Sequence, residues 1–422
     1  MVRIQNIEAQ LARLNEIGIA LSSEQNLNTL LSRILQEARN FTRAEAGSLY
    51  LVEADGLRLV VAQNDLLSQR DANRPHSNLS MLLNCRIELS RNSMAGYVGL
   101  TGEVVNLEDV YHIPTDRPYR FNAEFDRQND YRSRSMLLVP MRDLKGRIIG
   151  VLQLINAWDS RGRVVSFDRS LEHLVLSLAS QAAVAVRNVR LAEELKEAYF
   201  DTIFRLCVAV EYKDEGTADH IRRVAHYAAI VAQEQGFDRE RLEMLFYAAP
   251  MHDVGKIGID DAILHKRGKL TSGQFEEMKR HTAIGARILG GSQAPLLQMS
   301  ANIALTHHER FDGGGYPQGL RHDEIPIEGQ IIALADVFDA LSTKRPYKPA
   351  FPIERCLEII QQGRDRHFQP DLVDNFFRQL NDILTIREQY SGKAATAPVE
   401  RLSPRPTHKA QSLFGPRETT PA

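Results

Sequence analysis

Two spacings of apolar residues alternate along the chain, and each predicts a different kind of element. In residues 48–63, SLYLVEADGLRLVVAQ, apolar and polar residues alternate around Asp55 and Gly56, which predicts a β-hairpin. The segments SMLLVPM and RIIGVLQLIN predict a second hairpin around a turn at residues 142–146. Helices, then strands, then a further helix indicate an α+β domain. The two opening helices are predicted from apolar residues at helical spacing, namely Leu11, Leu14, Ile17, Leu21, Leu27, Leu30, Leu31 and Ile34.

A long helix with few breakers is predicted from Phe167 to about Lys213. Its apolar residues step by four and three, which is the spacing of a heptad seam. Such a seam fits one helix covering a sheet face, or a parallel helix that dimerises and connects two domains. We favour the second interpretation. The seam consists of Leu171, Val175, Leu178, Ala182, Ala185, Val189 and Ala192.

The rest of the chain is helical by pattern to about residue 385, with a glycine-rich interruption at residues 313–319. After Tyr390 the composition turns to Ala, Thr, Pro, Ser and Arg, which offers little to bury and predicts disorder. The predicted organisation is an α+β domain over residues 6–170, a connecting helix over 171–200, an all-α domain over 201–388 and a disordered tail over 389–422.

Composition narrows the class of protein. The 422 residues are 43% hydrophobic and 25% charged, as in globular proteins of two or three domains. The net charge of −2 gives no global basic field for nucleic acid or anionic membrane, so a phosphate ligand needs a local site. Three scattered cysteines argue against a disulfide framework and fit a reducing cytosol. The charged N-terminal segment is unlike a signal peptide, and no run of about 18 apolar residues predicts a membrane span. We therefore expect a cytoplasmic protein.

Histidines and embedded aspartates indicate a metal site in the helical half. The segment PMHDVGKIGI places His252 beside Asp253, with Lys256 four positions beyond His252 and thus expected on its face of a helix. Asp336 lies in the apolar segment IIALADVFDAL, where burial without a partner would be costly. Imidazole and carboxylate together suit iron, manganese or zinc rather than calcium. The remaining histidines of this group are His220, His281, His307 and His308.

The motifs that contain these residues resemble the HD-GYP family, a subgroup of the HD metal-dependent phosphohydrolases. The resemblance runs from Glu211 through FQPDLV at residues 368–373, with HDVGK, HHERFDGGGYP and ADVFDALSTKRPYK in the family's order. It implies an all-α domain with a two-ion iron or manganese centre. By these motifs one ion is held by His220, His252, Asp253 and Asp336, and the second by His281, His307 and His308, with Asp253 bridging.

The resemblance also implies a reaction, since family members open cyclic di-GMP to linear pGpG, to GMP, or to both. Two divalent ions can lower the pKa of water and stabilise a leaving alkoxide, so the donor set fits this chemistry. The glycines at 313–315 permit close approach to a ligand or form a plain turn, and Tyr316 either stacks on a base or pins the loop. Asp253 and Lys256 are the implied catalytic residues. The implied substrate contacts are Lys256, Gly313, Gly314, Tyr316, Arg345 and Lys348.

One position departs from the family pattern. Some members carry a metal-binding Glu immediately before the Thr of the TxxH segment, and Gly216 stands there in this chain. Glu215 would point about 100° away if the segment is helical. We therefore expect two ions and no third.

The first domain resembles a GAF module, through SLYLVEADGLRL, GYVGLTGEVVNLEDV and SMLLVPMRDLKGRIIGVLQLIN. Such domains usually sense a small ligand and pass the signal through the outgoing helix. Residues 122–131 partly resemble the signature of cyclic-nucleotide-binding members, through Asn122, Phe125 and Asp130, but Ala123 replaces the expected Lys. A cyclic nucleotide ligand and a ligand-free dimerisation module both stay open.

The leading hypothesis is a homodimeric, GAF-regulated cyclic di-GMP phosphodiesterase that binds neither a nucleic-acid polymer nor a membrane. One alternative is a catalytically weak receptor that signals by binding a nucleotide or a protein. The intact set of metal-binding residues argues against it. Another alternative is an HD hydrolase of a different cyclic dinucleotide.

Overall fold

A computed structural model describes residues 16–19, 23–24, 26–71, 85–214, 217–344 and 349–391. The chain divides into two compact units, residues 1–195 and 196–422. Several predictions lie outside the described residues. These are the start of the first helix, the substrate contacts Arg345 and Lys348, the positions Glu215 and Gly216, and the tail beyond residue 391.

The first unit is built on one antiparallel sheet with the strand order β3-β2-β1-β6-β5-β4, and β7 pairs with β6. Both predicted hairpins are present, β1 with β2 and β5 with β6. The strands are β1 Ala44–Glu53, β2 Gly56–Asn64, β3 Arg86–Ile87, β4 Val105–Leu107, β5 Met136–Arg142, β6 Ile148–Trp158 and β7 Val164–Val165. The helices are α1 Leu27–Thr42, α2 Asp65–Asp71, α3 Met94–Thr101, α4 Glu124–Asn129 and α5 Arg169–Lys213, the last continuing into the second unit.

Alternation along the strands divides this unit into two cores. Leu137 and Val139 of β5 point to the face covered by α1 and α5, whereas Leu138 between them points to the opposite face, beside α3. The side chains on the α1 face form one buried hydrophobic cluster. The other face leaves a cavity, described below.

The heptad seam of α5 packs against the protein's own sheet. Val175, Leu178, Ala182 and Ala185 are buried, and they belong to the same core cluster as α1 and the sheet. Over these residues the helix therefore covers a sheet face, as in the first interpretation, and the dimer stays a prediction. Among the described residues, α5 is the one helix long and apolar enough to cross a membrane by length and composition alone. The burial of this face explains that apolar composition.

The second unit is all-α, which together with the first confirms the predicted fold class. Its core is formed by side chains from most of its helices, among them Tyr227, Phe246, Phe338 and Phe376. Besides the end of α5, its α-helices are α6 Ala218–Glu234, α7 Arg239–Ala248, α8 Asp261–Leu264, α9 Ser272–Leu289, α10 Pro295–Thr306, α11 Ile327–Ser342, α12 Ile353–Gln362, α13 Pro370–Arg378 and α14 Leu380–Gln389.

Candidate metal centre

Side chains from four helices and one irregular segment meet inside the second unit. His220 comes from α6, His281 from α9 and Asp336 from α11. His307 caps the C-terminal end of α10, and His308 follows it. His252 and Asp253 lie between the 3₁₀ helices Ala249–Met251 and Val254–Gly258.

These seven side chains form two clusters, and within each one ligand atom per residue lies within 4.8 Å of the others. The first cluster is His220, His252 and Asp336, and the second is Asp253, His281, His307 and His308. Asp253 faces both clusters. Its Oδ2 lies 3.3 Å from His252 Nε2, and its Oδ1 lies 3.3 Å from His281 Nε2.

Two buried atoms at this meeting point have no hydrogen-bond partner in the described part of the chain. They are Nε2 of His252 and Oδ1 of Asp253. Buried polar atoms without partners are costly, so such atoms are expected where an ion supplies the missing interaction. Imidazole nitrogens and carboxylate oxygens are also the donors that divalent iron, manganese and zinc accept. The residues present therefore fit divalent metal binding.

Backbone carbonyls orient three of the imidazoles. Nδ1 of His252 donates to Ala249 O at 2.9 Å, and Nδ1 of His281 donates to Met278 O at 2.7 Å. Nδ1 of His307 lies 3.1 Å from the Ile303 and Ala304 carbonyls. A proton on Nδ1 leaves the Nε2 lone pair free, and Nε2 is the atom that faces the clusters. This outer shell fixes both tautomer and ring orientation.

His220 is oriented by a carboxylate that sequence reasoning missed. Its Nδ1 lies 2.8 Å from Oδ2 of Asp339, which is fully buried and also accepts two hydrogen bonds from the guanidinium of Arg223, at 2.6 and 2.9 Å. Burial raises the pKa of Asp339, but Arg223 and His220 outweigh it and hold the pKa at about 2. Asp339 lies in the same apolar helix, three residues after Asp336, and its carboxylate would be equally costly to bury without a partner.

Lys256 lies elsewhere than predicted. Residues 254–258 form a 3₁₀ helix, in which positions three apart eclipse, so Lys256 sits beside Asp253 rather than on the face of His252. Its Nζ is 2.7 Å from Asp253 Oδ2 and 2.5 Å from Asp214 Oδ2. Lys256 therefore neutralises Asp253 directly, and Asp214 is a second contact that the sequence did not suggest.

The electrostatics of the centre favour the neutral forms of His281 and His308 in the second cluster. Burial lowers the pKa of His281 to about 4, and burial with the neighbouring His307 holds the pKa of His308 well below its usual range. His252 differs. Burial lowers its pKa, but Asp253 and Asp336 outweigh burial and raise the pKa to about 9 in the metal-free protein. A divalent ion at His252 thus replaces a proton.

The loop that contains the predicted substrate contacts is fastened by Glu309. This buried carboxylate accepts backbone N–H groups of Gln318, Gly319 and Leu320, at 2.7, 3.2 and 3.1 Å. Gly313 has a φ of +80°, and a Cβ on Gly315 would lie 2.4 Å from the backbone nitrogen of Arg310. The glycines are thus needed by the fold of the loop itself.

Tyr316 lies against the second cluster. Its ring centroid is 4.8 Å from that of His308 and 6.4 Å from that of His281. Gly313 and Gly314 precede it in the same loop, and both predicted roles for Tyr316, packing and substrate contact, are compatible with this position.

Gly255 lets the HD segment approach α9, and an alanine there is expected to be destabilising. A Cβ would lie 1.9 Å from His281 O and 2.5 Å from Gly285 N, so backbone must move. We expect Gly255→Ala to lower the free energy of unfolding by about 2 kcal/mol, the range of overpacked cores. A Cβ added at Gly273 of α9 would meet nothing within 4 Å, so Gly273→Ala should be neutral or stabilising by up to about 1 kcal/mol. Urea denaturation of both variants tests this, and equal midpoints would contradict it.

The first unit holds a second candidate site, a cavity of about 430 Å³ beside the sheet. Asn122 and Phe125 line it as the partial signature suggests, together with Asp126. Asp126 is buried and accepts hydrogen bonds from Ser133 N and Oγ, at 2.8 and 2.9 Å, so its carboxylate shapes the wall. Asp130 ends α4 with a φ of +47° and is not among the lining residues.

Comparison with known families assigns both units. Residues 26–186 match the family model of the GAF domain, and residues 208–372 match that of the HD domain. The chain therefore carries a GAF domain followed by an HD domain, which confirms the predicted resemblances and their order. An HD domain implies divalent metal binding, which agrees with the two clusters of His and Asp side chains.

Several curated relatives resemble part of this chain. The cyclic di-GMP phosphodiesterase response regulator RpfG of Xanthomonas campestris is 40% identical over 255 residues, 60% of this chain and 63% of that protein. A cyclic di-GMP phosphodiesterase of Thermotoga maritima is 44% identical over 199 residues, 46% and 54% of the two chains. The 3'3'-cGAMP-specific phosphodiesterase 2 of Vibrio cholerae is 38% identical over 227 residues, 53% and 44%. The chain thus spans 44–63% of the length of these relatives.

Proposed function

We propose that the protein is a metal-dependent phosphodiesterase that hydrolyses a cyclic dinucleotide, cyclic di-GMP above all, to linear pGpG, GMP or both. The observation that carries the proposal is the position of Asp253, whose two carboxylate oxygens face different histidine clusters inside an HD domain. The names of the relatives supply the substrate class.

Two ions are proposed, iron or manganese, and Asp253 would bridge them. The first ion would be held by His220, His252, Asp253 and Asp336, and the second by Asp253, His281, His307 and His308. A third ion is not proposed, since Gly216 has no side chain to ligate one. Once bound, the ions supply positive charge to a phosphate oxygen and to the leaving alkoxide and lower the pKa of water.

The chain's own residues hold and neutralise this centre. The ammonium of Lys256 balances the negative charge of Asp253. It also lies close enough to the centre to neutralise a phosphate oxygen of the substrate. Asp339 and the backbone carbonyls fix the orientation of the imidazole rings. The rings therefore need not reorient when the substrate binds. Gly313, Gly314 and Tyr316 are proposed to contact the substrate beside the second cluster, and Arg345 and Lys348 to bind its phosphate or guanine edges.

A mixed cyclic dinucleotide is the second candidate substrate. A 3'3'-cGAMP-specific phosphodiesterase is 38% identical to this chain over 227 residues, close to the figures for the cyclic di-GMP relatives. The metal chemistry is the same for both substrates, and discrimination lies in the base contacts.

The first unit is proposed to regulate the second. Its cavity has the size of a small-molecule site, and a cyclic nucleotide is one candidate ligand. We propose a cytoplasmic homodimer in which residues 6–170 sense, 171–200 connect and 201–388 hydrolyse. Because the heptad seam is buried, we propose that α5 contacts a second copy of the chain through its exposed residues Leu191 and Leu195.

Turnover by protein purified without chelator tests the function. We expect cyclic di-GMP to give linear dinucleotide or GMP, resolved by chromatography, at a rate above that for 3'3'-cGAMP. Chelation should abolish turnover, and added Fe²⁺ or Mn²⁺ should restore it. Tight binding of cyclic di-GMP without product under both metals would reject the enzyme in favour of a receptor. Faster turnover of 3'3'-cGAMP would select the second candidate substrate.

A further inference from the structure

Helix α9 carries an aromatic side chain that is exposed beside the metal centre. Phe275 is 45% exposed, and its ring meets the ring of Tyr316 edge to face, with centroids 6.1 Å apart at 78°. A single exposed Phe is unremarkable on a protein surface. This one, however, adjoins a second aromatic ring that itself borders the second cluster.

A cation lies over both rings. Lys279, four residues after Phe275 on the same helix, places Nζ 4.9 Å from the Phe275 centroid and 5.5 Å from the Tyr316 centroid. Its acidic partner Glu276, at 2.7 Å, has a side chain that is 69% exposed. Exposed pairs at this spacing contribute little free energy, so the ammonium can exchange this partner for a more strongly charged one.

Phe275, Lys279 and Tyr316, here called the rim cluster, continue directly into the centre. Tyr316 contacts the rings of His308 and His281, two of the proposed ligands of the second ion. If one phosphate of a substrate is bound at the ions, the rings of Phe275 and Tyr316 and the ammonium of Lys279 lie within reach of the rest of that substrate.

We propose that the rim cluster is the base-binding part of the active site. Phe275 stacks on a purine, and Lys279 leaves the ring faces to bind the phosphate that is not cleaved. A cyclic dinucleotide offers both groups at once, and stacking on an aromatic ring is the common way in which proteins hold an unpaired base. Lys serves as a point charge for phosphate. This inference rests on the proposed function and adds the residues that recognise the substrate.

The test compares Phe275→Ala and Lys279→Met with Ile288→Ala, which removes an equally exposed side chain from the same helix. For cyclic di-GMP, Phe275→Ala should raise KM about 5- to 150-fold, the effect of losing one stacked base. Its kcat should stay within about threefold, since the lost contact is made equally in ground and transition states. Lys279→Met should also raise KM, and Ile288→Ala should not. Bis(4-nitrophenyl) phosphate, a diester without a base, should be hydrolysed at the wild-type rate by all three variants.

A second readout does not need turnover. Calorimetric titration of metal-loaded protein with a phosphorothioate analogue of cyclic di-GMP should show the same loss of affinity in Phe275→Ala and none in Ile288→Ala. Equal affinities of Phe275→Ala and Ile288→Ala for the analogue would overturn the proposal. Equal losses of activity toward cyclic di-GMP and bis(4-nitrophenyl) phosphate would also overturn it, because they would indicate a structural role. If the wild type cleaves only the simple diester, the proposed function fails while the titration still decides the role of the rim.

Discussion

Asp253→Asn is expected to abolish phosphodiesterase activity and to strip the protein of metal. The substitution keeps the shape of the side chain but removes the charge that faces both clusters and Lys256. Bound metal supplies several kcal/mol to the transition state, and a loss of about 4 kcal/mol corresponds to about a thousandfold in rate. Turnover of cyclic di-GMP and metal content by mass spectrometry measure the two effects.

Asp261→Asn is the matched control. Asp261 lies eight residues further along, its side chain is 70% exposed, and its cationic partner Lys213 is 3.2 Å away. Loss of this surface pair should change neither metal content nor turnover appreciably. If Asp253→Asn kept both its metal and its activity, the bridging role assigned to Asp253 would be wrong.

The second large effect concerns stability. Asp339→Ala should lower the free energy of unfolding by about 3–5 kcal/mol, because it leaves the buried Arg223 guanidinium without its carboxylate. Arg223 would lose both bonds to Asp339 and keep its bond to the Tyr390 carbonyl, at 2.8 Å. Because Asp339 also orients His220, the folded fraction of the variant should bind metal more weakly. Urea denaturation and metal titration measure the two consequences.

An exposed pair of the same geometry provides the comparison. Asp374 accepts two hydrogen bonds from Arg364, at 3.0 and 2.9 Å, but both side chains are well exposed to solvent. Asp374→Ala should therefore cost at most about 1 kcal/mol. Similar costs for the two variants would show that burial does not strengthen the Asp339 interaction.

Local patterns predicted the parts of the fold that depend on local spacing. Alternation of apolar and polar residues on both sides of Asp55 and Gly56 located a hairpin. Successive side chains of a strand point to opposite faces of the sheet, so each strand shows this alternation where its two faces differ in burial. The same logic failed for α5. A stripe that packs on a sheet and a stripe that packs on a second helix share one spacing, so Val175 and Leu178 could not reveal which surface covers them.

The candidate site shows a similar division. The motifs supplied all seven side chains that the structure brings into the two clusters. They did not supply Asp339, whose partner His220 lies 119 residues away in the chain, or Asp214 beside Lys256. Lys256 itself was placed wrongly because an α-helix was assumed where the backbone turns in a 3₁₀ helix. Pairings across the chain and changes of helix type depend on tertiary packing, which local spacing does not encode.

We propose a two-ion centre, shared through Asp253, that cleaves a cyclic dinucleotide. Its most direct test is to titrate metal-free protein with Mn²⁺ or Fe²⁺ and to record ions bound per chain and cyclic di-GMP hydrolysis in the same samples. We expect hydrolysis to appear as the second ion binds and to reach its plateau at about two ions per chain. Full hydrolysis with one ion per chain, or a plateau at three, would contradict it.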